Sequence, residues 1–383
     1  MNNMNKAVKM WVLAAVLILV GANMVGCKNK TAKVQTETSV QPEAGQARVK
    51  CHIEGEILSN QFGNDVVICE EGTDLRVHDA PSLHVKAVNG KFSTTIESDY
   101  IKMYEIYLAG ELEALGSYRF ARFLVENGTV KIVFPKDDKE AIIWTSDGEE
   151  GHQRQVLDSM LREKGDESSD FEYDYLSEHP MLWTLFKTRD CLETLQYADN
   201  RPDFDPAPYQ RYITLYHDKL SNLYPDHPIH EQIAMAETAY QLQPGKPYID
   251  YIVRNTDGQL VPISALIRDK VALIDLWASW CGPCRRHSIA MIPIYERYKD
   301  KGFTVVAIAR ESKPKAMEKA ARKDGYPWPC LMELQDENKI WLKNGANNSG
   351  GAMFLIDRDG TILSKSTDAE ELEPLIRKAL SIE

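Results

Sequence analysis

The chain has 383 residues, of which 43% are hydrophobic and 27% are charged. Its length is too great for one ordinary domain, and its composition excludes a predominantly disordered chain, so we expect two or three folded domains. The formal net charge of -12 at pH 7 argues against a nucleic-acid partner, because no broad basic face is available to neutralise phosphates.

The first 26 residues have the pattern of a secretory signal peptide. Two lysines, Lys6 and Lys9, precede a continuous apolar run over residues 10–20. That run is too short to span a bilayer comfortably, but it suits the central region of a signal peptide. We expect residues 1–26 to be removed on export.

The segment Met24-Val25-Gly26-Cys27 resembles a bacterial lipobox, in which the cysteine becomes the lipid-bearing first residue of the mature chain. We expect Cys27 to be lipidated and to anchor the protein to the membrane on the periplasmic side of the cell envelope. Ordinary cleavage, with Cys27 as a bystander, remains an alternative. Residues 27–47 follow as a flexible linker, because residues 28–46 contain no aromatic residue, leucine or isoleucine.

Residues 48–150 alternate apolar and polar side chains in short segments separated by turn residues, which predicts an antiparallel β-sandwich domain. Asn89-Gly90 and Asn127-Gly128 are expected to be hairpin turns within it. Cys51 and Cys69 lie on consecutive predicted strands, so a disulfide between them in an oxidising compartment is left open.

Residues 151–244 place apolar residues at three-to-four spacing, which predicts a helical connecting region. From 245 to 383 the pattern alternates, with buried strands VALIDLW (271–277) and FTVVAIA (303–309), intervening helices, a hairpin and a closing helix. This is the element order of a thioredoxin fold, a central mixed sheet flanked by helices. The expected fold class is therefore α/β.

Two cysteines follow the first of these strands. Gly282-Pro283-Cys284 opens the next helix, so the sulfur of Cys281 is expected at a helix N-terminus. Free backbone N–H groups and the helix dipole favour a nucleophilic thiolate there. Cys284, one helical turn on, is placed to attack a mixed disulfide formed by Cys281.

Three other interpretations of the cysteine pair compete with redox exchange. A structural zinc site needs four ligands, and only His287 or Cys330 is available to help, so no metal is expected. A peroxidase would need a threonine three residues before its cysteine, where Ala278 stands. The third interpretation is a static disulfide that takes part in no exchange.

The string WASWCGPC resembles the active site of the thioredoxin superfamily, and residues 245–383 are most similar to the exported TlpA/ResA-like thiol-disulfide oxidoreductases. The β-rich region before them resembles the N-terminal domain of many exported lipoproteins of Bacteroidetes-type bacteria. The resemblance implies that Cys281 attacks, that Cys284 resolves, and that Asp275 exchanges protons with the resolving thiol. The substrate contacts that it implies are Trp280, Gly282, Pro283, Gly351 and Ala352.

The chain departs from that family in two places. Gly351 stands where the family has a cis-proline facing the cysteines, so the loop is expected to be trans or more mobile. His287 and Ile289 stand where the exported relatives commonly have glutamate and proline. His287 is expected either to tune the site or, more simply, to be a solvated helix residue.

We expect an enzyme that exchanges thiols and disulfides through its own cysteines, without an organic cofactor. Its partners would be client proteins bearing thiols or disulfides and an upstream electron donor in the envelope. CGPC resembles the reducing members of the family, which predicts a potential near the roughly -270 mV of thioredoxin. The competing class is a non-catalytic envelope scaffold with a vestigial thioredoxin-like domain, which Gly351 favours. Cys330 is expected to be a buried bystander, with a third redox cysteine as the alternative.

Overall fold

A computed structural model describes residues 49–382, except residues 60, 75, 78–81, 116, 166–167, 199–202 and 349. The expected signal peptide, the linker and Cys27 therefore lie outside the described residues. Within them, no helix is both long and apolar enough to cross a bilayer.

Two four-stranded sheets face each other in the first part of the described chain. Their strands are β1 (Val49–Ile57), β2 (Asp65–Glu70), β3 (Leu83–Lys86), β4 (Lys91–Ser98), β5 (Lys102–Leu108), β6 (Ala121–Val125), β7 (Gly128–Phe134) and β8 (Ile143–Ser146), and α1 (Ala109–Leu115) joins β5 to β6. The strand orders are β4-β1-β7-β8 and β3-β2-β5-β6. Apolar side chains from both sheets form one core between them, as the alternating sequence pattern predicts. The β1–β7 pair is parallel, and the other pairs of these two sheets are antiparallel.

The hairpin prediction holds locally for Asn89-Gly90, where Val88 and Lys91 form an antiparallel bridge and exchange two backbone hydrogen bonds, but it was wrong for Asn127-Gly128. Asn89 and Gly90 have positive φ, and Gly128 has φ 134°. However, the first turn leads from β3 to β4 and the second from β6 to β7, and the strands of each pair belong to opposite sheets. Each turn carries the chain across the sandwich, because β4 and β7 both pair with β1 rather than with the strand before the turn.

Cys51 and Cys69 form no disulfide with each other, because they face different cores. Cys51 on β1 points into the core between the two sheets. On β2, Val66 and Ile68 face that same core, whereas Cys69 points to the opposite face of its sheet with Tyr107. Both thiols are free and buried.

Among the described residues, five helices follow the sandwich: α2 (Glu149–Lys164), α3 (Ser168–Glu178), α4 (Leu182–Ala198), α5 (Ala207–Leu215), which continues as a π-helical turn (Tyr216–Leu220), and α6 (Ile229–Gln241). Their apolar faces form a core that includes Met103 of β5 and Leu124 of β6. The helices are thus packed against the outer face of one sheet of the sandwich.

The last part of the chain, as far as the structure describes it, is a seven-stranded mixed sheet with flanking helices. Its strands are β9 (Ile252–Arg254), β10 (Leu260–Pro262), β11 (Val271–Trp277), β12 (Phe303–Glu311), β13 (Cys330–Leu334), β14 (Ala352–Ile356) and β15 (Ile362–Ser364), in the order β10-β9-β13-β12-β11-β14-β15. The helices are α7 (Ile263–Ile267), α8 (Gly282–Tyr298), α9 (Pro314–Asp324), α10 (Ile340–Lys343) and α11 (Ala369–Ala379). Strands β11, β12 and β13 are parallel, so their carboxyl ends meet at one edge of the sheet. Every residue of β11 and β12 is buried, as their continuous apolar runs predict.

Candidate active site

Cys281 and Cys284 lie at the edge of the sheet where β11 ends and α8 begins. They form a disulfide with a Cα–Cα distance of 5.4 Å. Cys281 is the N-cap residue of α8. Gly282 and Pro283 begin the first turn of the helix, and both are exposed to solvent. The two cysteines are nearly covered, with relative exposures of 3% and 6%.

Backbone amides donate to both sulfurs. The N–H of Cys284 lies 3.3 Å from Sγ of Cys281, and the N–H of Gly351 lies 3.1 Å from Sγ of Cys284. Each donor would stabilise negative charge on the sulfur that it faces once the disulfide is reduced. The site therefore supplies a separate amide to each cysteine.

The structure explains why glycine, and not proline, occupies position 351. The peptide bonds of the described residues are all trans, including the one before Gly351. A Cβ at this position would lie 1.7 Å from the carbonyl oxygen of Leu276, so the close approach of the two backbones requires glycine. Proline would also lack the N–H that reaches Cys284. Ala352, the next residue, pairs with Leu276 in the β11–β14 ladder.

Asp275 is buried beneath the cysteines on β11. Ser288 of α8 donates from Oγ to Oδ2 of Asp275 at 2.6 Å, and the same Oγ lies 3.0 Å from the carbonyl oxygen of Cys284. Burial raises the pKa of Asp275 to about 7, against a smaller lowering by the Ser288 hydroxyl. Its Oδ1 is buried without a hydrogen-bond partner among the described residues. A carboxyl with this pKa can take up and release a proton near neutral pH.

Cys330 begins β13 and lies close to Asp275 without joining the pair. Ala307 of β12 pairs with Asp275 on one side and with Cys330 on the other. Burial, and then the charge of Asp275, raise the pKa of the Cys330 thiol to about 12. The thiol form is therefore favoured over the thiolate, in line with a bystander.

Glu311 is a site residue that the sequence analysis missed. It ends β12, beside the end of β11, and is buried. Its carboxylate accepts from the backbone N–H of Ser279 at 2.5 Å and from the Ser279 hydroxyl at 2.9 Å. Burial raises its pKa, and these two bonds lower it. Glu311 thereby holds the turn that carries Trp280 and Cys281; its place at the carboxyl end of a buried parallel strand was the available signal.

The β-rich region also contributes to the surroundings of the cysteines. The guanidinium of Arg76 lies 3.8 Å from the centroid of the Trp280 ring, and its Nη2 donates to the carbonyl oxygen of Asn348 at 2.6 Å. Asp74 accepts from Nε and Nη2 of Arg76, both at 2.8 Å. We call the side chains of Asp74 and Arg76 the Asp74–Arg76 clasp. Nothing in the sequence around these two residues indicated this contact.

A buried arginine connects the clasp to the thioredoxin-like part of the chain. Nη1 of Arg310 lies 3.6 Å from Oδ2 of Asp74 and donates to Oδ1 of Asn348 at 2.9 Å. Its Nε donates to Asp336 at 2.6 Å, and its guanidinium lies 5.2 Å from the Trp341 ring. The loop before Gly351 is therefore held from two sides.

His287, the other departure from the family, has a local partner. Its Nδ1 lies 2.9 Å from the carbonyl oxygen of Thr367 before α11. The side chain is part-buried, so it is not a freely solvated helix residue. Among the described residues, no group of three or more His, Cys, Asp or Glu side chains is arranged to hold a metal ion.

Comparisons with known proteins find relatives of the last part of the chain. The Redoxin family matches residues 243–380. The chain is 23% identical over 141 residues to the thiol-disulfide oxidoreductase ResA of Bacillus thuringiensis (strain Al Hakam), covering 36% of this chain and 79% of ResA. It is 29% identical over 135 residues to ResA of Geobacillus kaustophilus, covering 35% of this chain and 74% of that protein. Residues 243–380 form a thioredoxin-like oxidoreductase domain of the TlpA/ResA type.

A solved structure resembles the same domain. The thioredoxin domain of a thiol-disulfide oxidoreductase from Bacteroides vulgatus is 23% identical, with a TM-score of 0.34, and the match covers 36% of this chain and 99% of that one. The expected α/β fold class and the expected similarity of the last part of the chain to the TlpA/ResA-like oxidoreductases are confirmed by the family match and the relatives.

Proposed function

We propose that this chain carries out reductive thiol–disulfide exchange in the cell envelope. The observation that carries the proposal is the Cys281–Cys284 disulfide at the N-terminus of α8, with an amide donor on each sulfur and Asp275 below. The relatives whose names include thiol-disulfide oxidoreductase support the same chemistry. The chemistry uses no organic cofactor, because both electrons come from the two cysteines.

The exchange proceeds in two displacements. The thiolate of Cys281 attacks one sulfur of a client disulfide, forms a mixed disulfide and releases the other client sulfur as a thiolate. Cys284 then attacks Cys281, so that the client leaves with two thiols and the Cys281–Cys284 disulfide forms. Asp275 accepts the proton of Cys284 as it attacks, directly or through a water molecule, and an upstream thiol donor in the envelope restores the dithiol.

The client would meet the cysteines at their exposed side. Gly282 and Pro283 are exposed beside the covered sulfurs, and Trp280 borders them. The backbone of Gly351 and Ala352 completes the surface that we assign to the client. Cys27 would hold the enzyme at the membrane by a lipid, with residues 27–47 as the linker, the β-sandwich at 48–150, the helical connecting region at 151–244 and the thioredoxin-like domain at 245–383.

The deciding experiment is the equilibrium reduction potential of the purified protein in dithiothreitol and glutathione buffers. Differential alkylation and peptide mass would follow Cys281 and Cys284 separately from the other cysteines. We expect one reversible two-electron transition near the roughly -270 mV of thioredoxin. A pair that stays oxidised at every accessible potential would overturn the proposal and favour a scaffold with a static disulfide.

Two variants assign the roles of the cysteines. With reduced protein and a disulfide-bearing client, Cys281→Ser should form no mixed disulfide, whereas Cys284→Ser should accumulate one through Cys281. Cys330→Ser is the matched control and should exchange like the unmodified protein. Mixed disulfides through Cys284 in the Cys281→Ser variant would show that the two roles are reversed.

A further inference from the structure

We propose that Arg76 is a specificity-determining residue of the redox site, supplied by the β-rich region. By covering Trp280, it restricts Cys281 to clients that can displace the Asp74–Arg76 clasp. The inference rests on the proposed exchange function and adds to it a role for the region before the thioredoxin-like domain.

Arg76 joins the two segments that border the cysteine pair. Its guanidinium stacks on Trp280, the residue directly before Cys281, and its Nη2 bonds to the carbonyl oxygen of Asn348. Asn348 lies in the loop that leads to Gly351, whose N–H reaches Cys284. One side chain thus spans both walls of the site.

Contacts with Asp74 hold the guanidinium of Arg76 in this orientation. The buried carboxylate of Asp74 binds it through two parallel hydrogen bonds, which fix the plane of the fork. The buried Arg310 approaches the same carboxylate and also bonds to Asn348. Arg76 itself is half-exposed, so its position depends on these contacts rather than on burial.

The cover matters because the attacking sulfur is almost inaccessible. Cys281 is 3% exposed, whereas an attacking thiolate must approach the sulfur of its target in line. A small disulfide needs only a narrow opening beside Trp280, but a polypeptide must bring its backbone against the same surface. Displacing Arg76 therefore controls exchange with proteins more than exchange with small disulfides.

The test compares two substrates in one assay. The reduced full chain is mixed with insulin as a protein disulfide and with glutathione disulfide as a small one, with dithiothreitol as the electron source. We expect Arg76→Ala to exchange with insulin at least about fivefold faster, while its rate with glutathione disulfide changes by less than about twofold. Arg76→Lys, which keeps the charge but loses the fork, should fall between Arg76→Ala and the unmodified protein.

Arg211→Ala is the matched control. Arg211 also bonds to a carboxylate, Asp170, and stacks on an aromatic ring, Tyr173, but it lies on α5 in the helical region. We expect both of its rates to equal those of the unmodified protein. Circular dichroism of all variants would confirm that they are folded.

A second measurement tests, without any client, how far Arg76 limits access to the Cys281 thiol. In the reduced protein, alkylation of Cys281 by iodoacetamide is compared with alkylation by a maleimide on a polyethylene glycol chain, both followed by peptide mass. Arg76→Ala should accelerate the large reagent more than the small one. Equal acceleration of both reagents, or of both disulfide substrates, would overturn a role in specificity, and so would unchanged or slower exchange with insulin. If the unmodified protein and Arg211→Ala exchange with neither substrate, the proposed function itself fails.

Discussion

The backbone N–H of Gly351 donates to Sγ of Cys284 at 3.1 Å, and the carbonyl oxygen of Leu276 occupies the space where a side chain at 351 would begin. The loop thus approaches the resolving cysteine with its amide, at the position where the family resemblance leads one to expect a proline. Glycine here is a requirement of close packing between two backbones, and it gives the sulfur a donor that proline could not provide.

Replacing Gly351 by alanine should therefore be strongly destabilising. The added Cβ would lie 1.7 Å from a backbone oxygen on β11, and no flexible side chain can move aside. We expect the free energy of unfolding to fall by at least about 2 kcal/mol, measured by urea denaturation of the oxidised protein. Gly350→Ala is the matched control, because a Cβ there meets nothing within 4 Å. Equal stability of the two variants would contradict the clash.

The raised pKa of Asp275 predicts a pH-dependent stability. The pKa of Asp275 is about 7 in the folded protein, against an ordinary value of 3.8 that applies to the unfolded chain. Between pH 3.8 and pH 7 the folded chain therefore binds more protons than the unfolded chain. The stabilising contribution, roughly 4 kcal/mol, is fully present below about pH 4 and is lost as pH rises towards 7.

The measurement is denaturant unfolding of the oxidised protein from pH 4 to 8. Asp275→Asn should lack this contribution, so its stability relative to the unmodified protein should rise with pH up to about 7 and then level off. Asp257→Asn, at an exposed position, should follow the unmodified protein throughout. A constant difference between Asp275→Asn and the unmodified protein would show that the carboxyl does not titrate in this range.

Glu311 should be needed to position the turn before Cys281. Glu311→Ala leaves the part-buried N–H and hydroxyl of Ser279 without their carboxylate, and the turn that carries Trp280 loses its support. We expect exchange with a protein disulfide to slow by about three- to tenfold, with the Cys281–Cys284 disulfide still formed. Glu311→Gln keeps an acceptor oxygen for the Ser279 N–H and should recover part of the rate. Full activity of Glu311→Ala would show that Glu311 has no role in positioning the turn before Cys281.

The thiols of Cys51 and Cys69 should remain separate and unreactive in the folded protein. Both are buried, and burial raises the pKa of each to about 11. Iodoacetamide at pH 8 should leave both unmodified until the chain is denatured, and then alkylate both without prior reduction. Peptide mapping that found a linked Cys51–Cys69 peptide would refute the separation of the two strands into different sheets.

The strands and helices that carry the cysteine pair could be predicted because their signals are local. The continuous apolar runs of β11 and β12 mark strands that are buried on both faces, and Cys281 to Cys284 mark the start of α8. Short elements such as β9, β10 and α10 were missed, since three or four residues contain too little periodicity. The pairing of β4 and β7, the strands that follow the two Asn-Gly turns, could not be predicted either. A turn sequence sets the local backbone and not the sheet that the next strand joins.

The contacts that complete the site depend on distant parts of the chain. Asp275 was predicted from its place before Cys281 in the oxidoreductases that the sequence resembles. Asp74 and Arg76 lie in an ordinary polar loop, and only the packing of the sandwich against the thioredoxin-like domain brings them to Trp280. Gly351 was recognised as a departure from the family, but its reason, the nearby oxygen of Leu276, is visible only in three dimensions.

The same separation along the chain sets the order of events during folding. Cys281 and Cys284 are three positions apart, whereas Arg76 and Asn348 are 272 positions apart. Closing a long loop costs more entropy, so we expect the cysteine pair to meet before the Asp74–Arg76 clasp is in place. Thiol labelling at intervals during oxidative refolding would check this order, and a disulfide that appears only in the fully native chain would contradict it. We therefore expect an oxidant to reach these sulfurs most easily in a partly folded intermediate, before the β-sandwich packs against the thioredoxin-like domain.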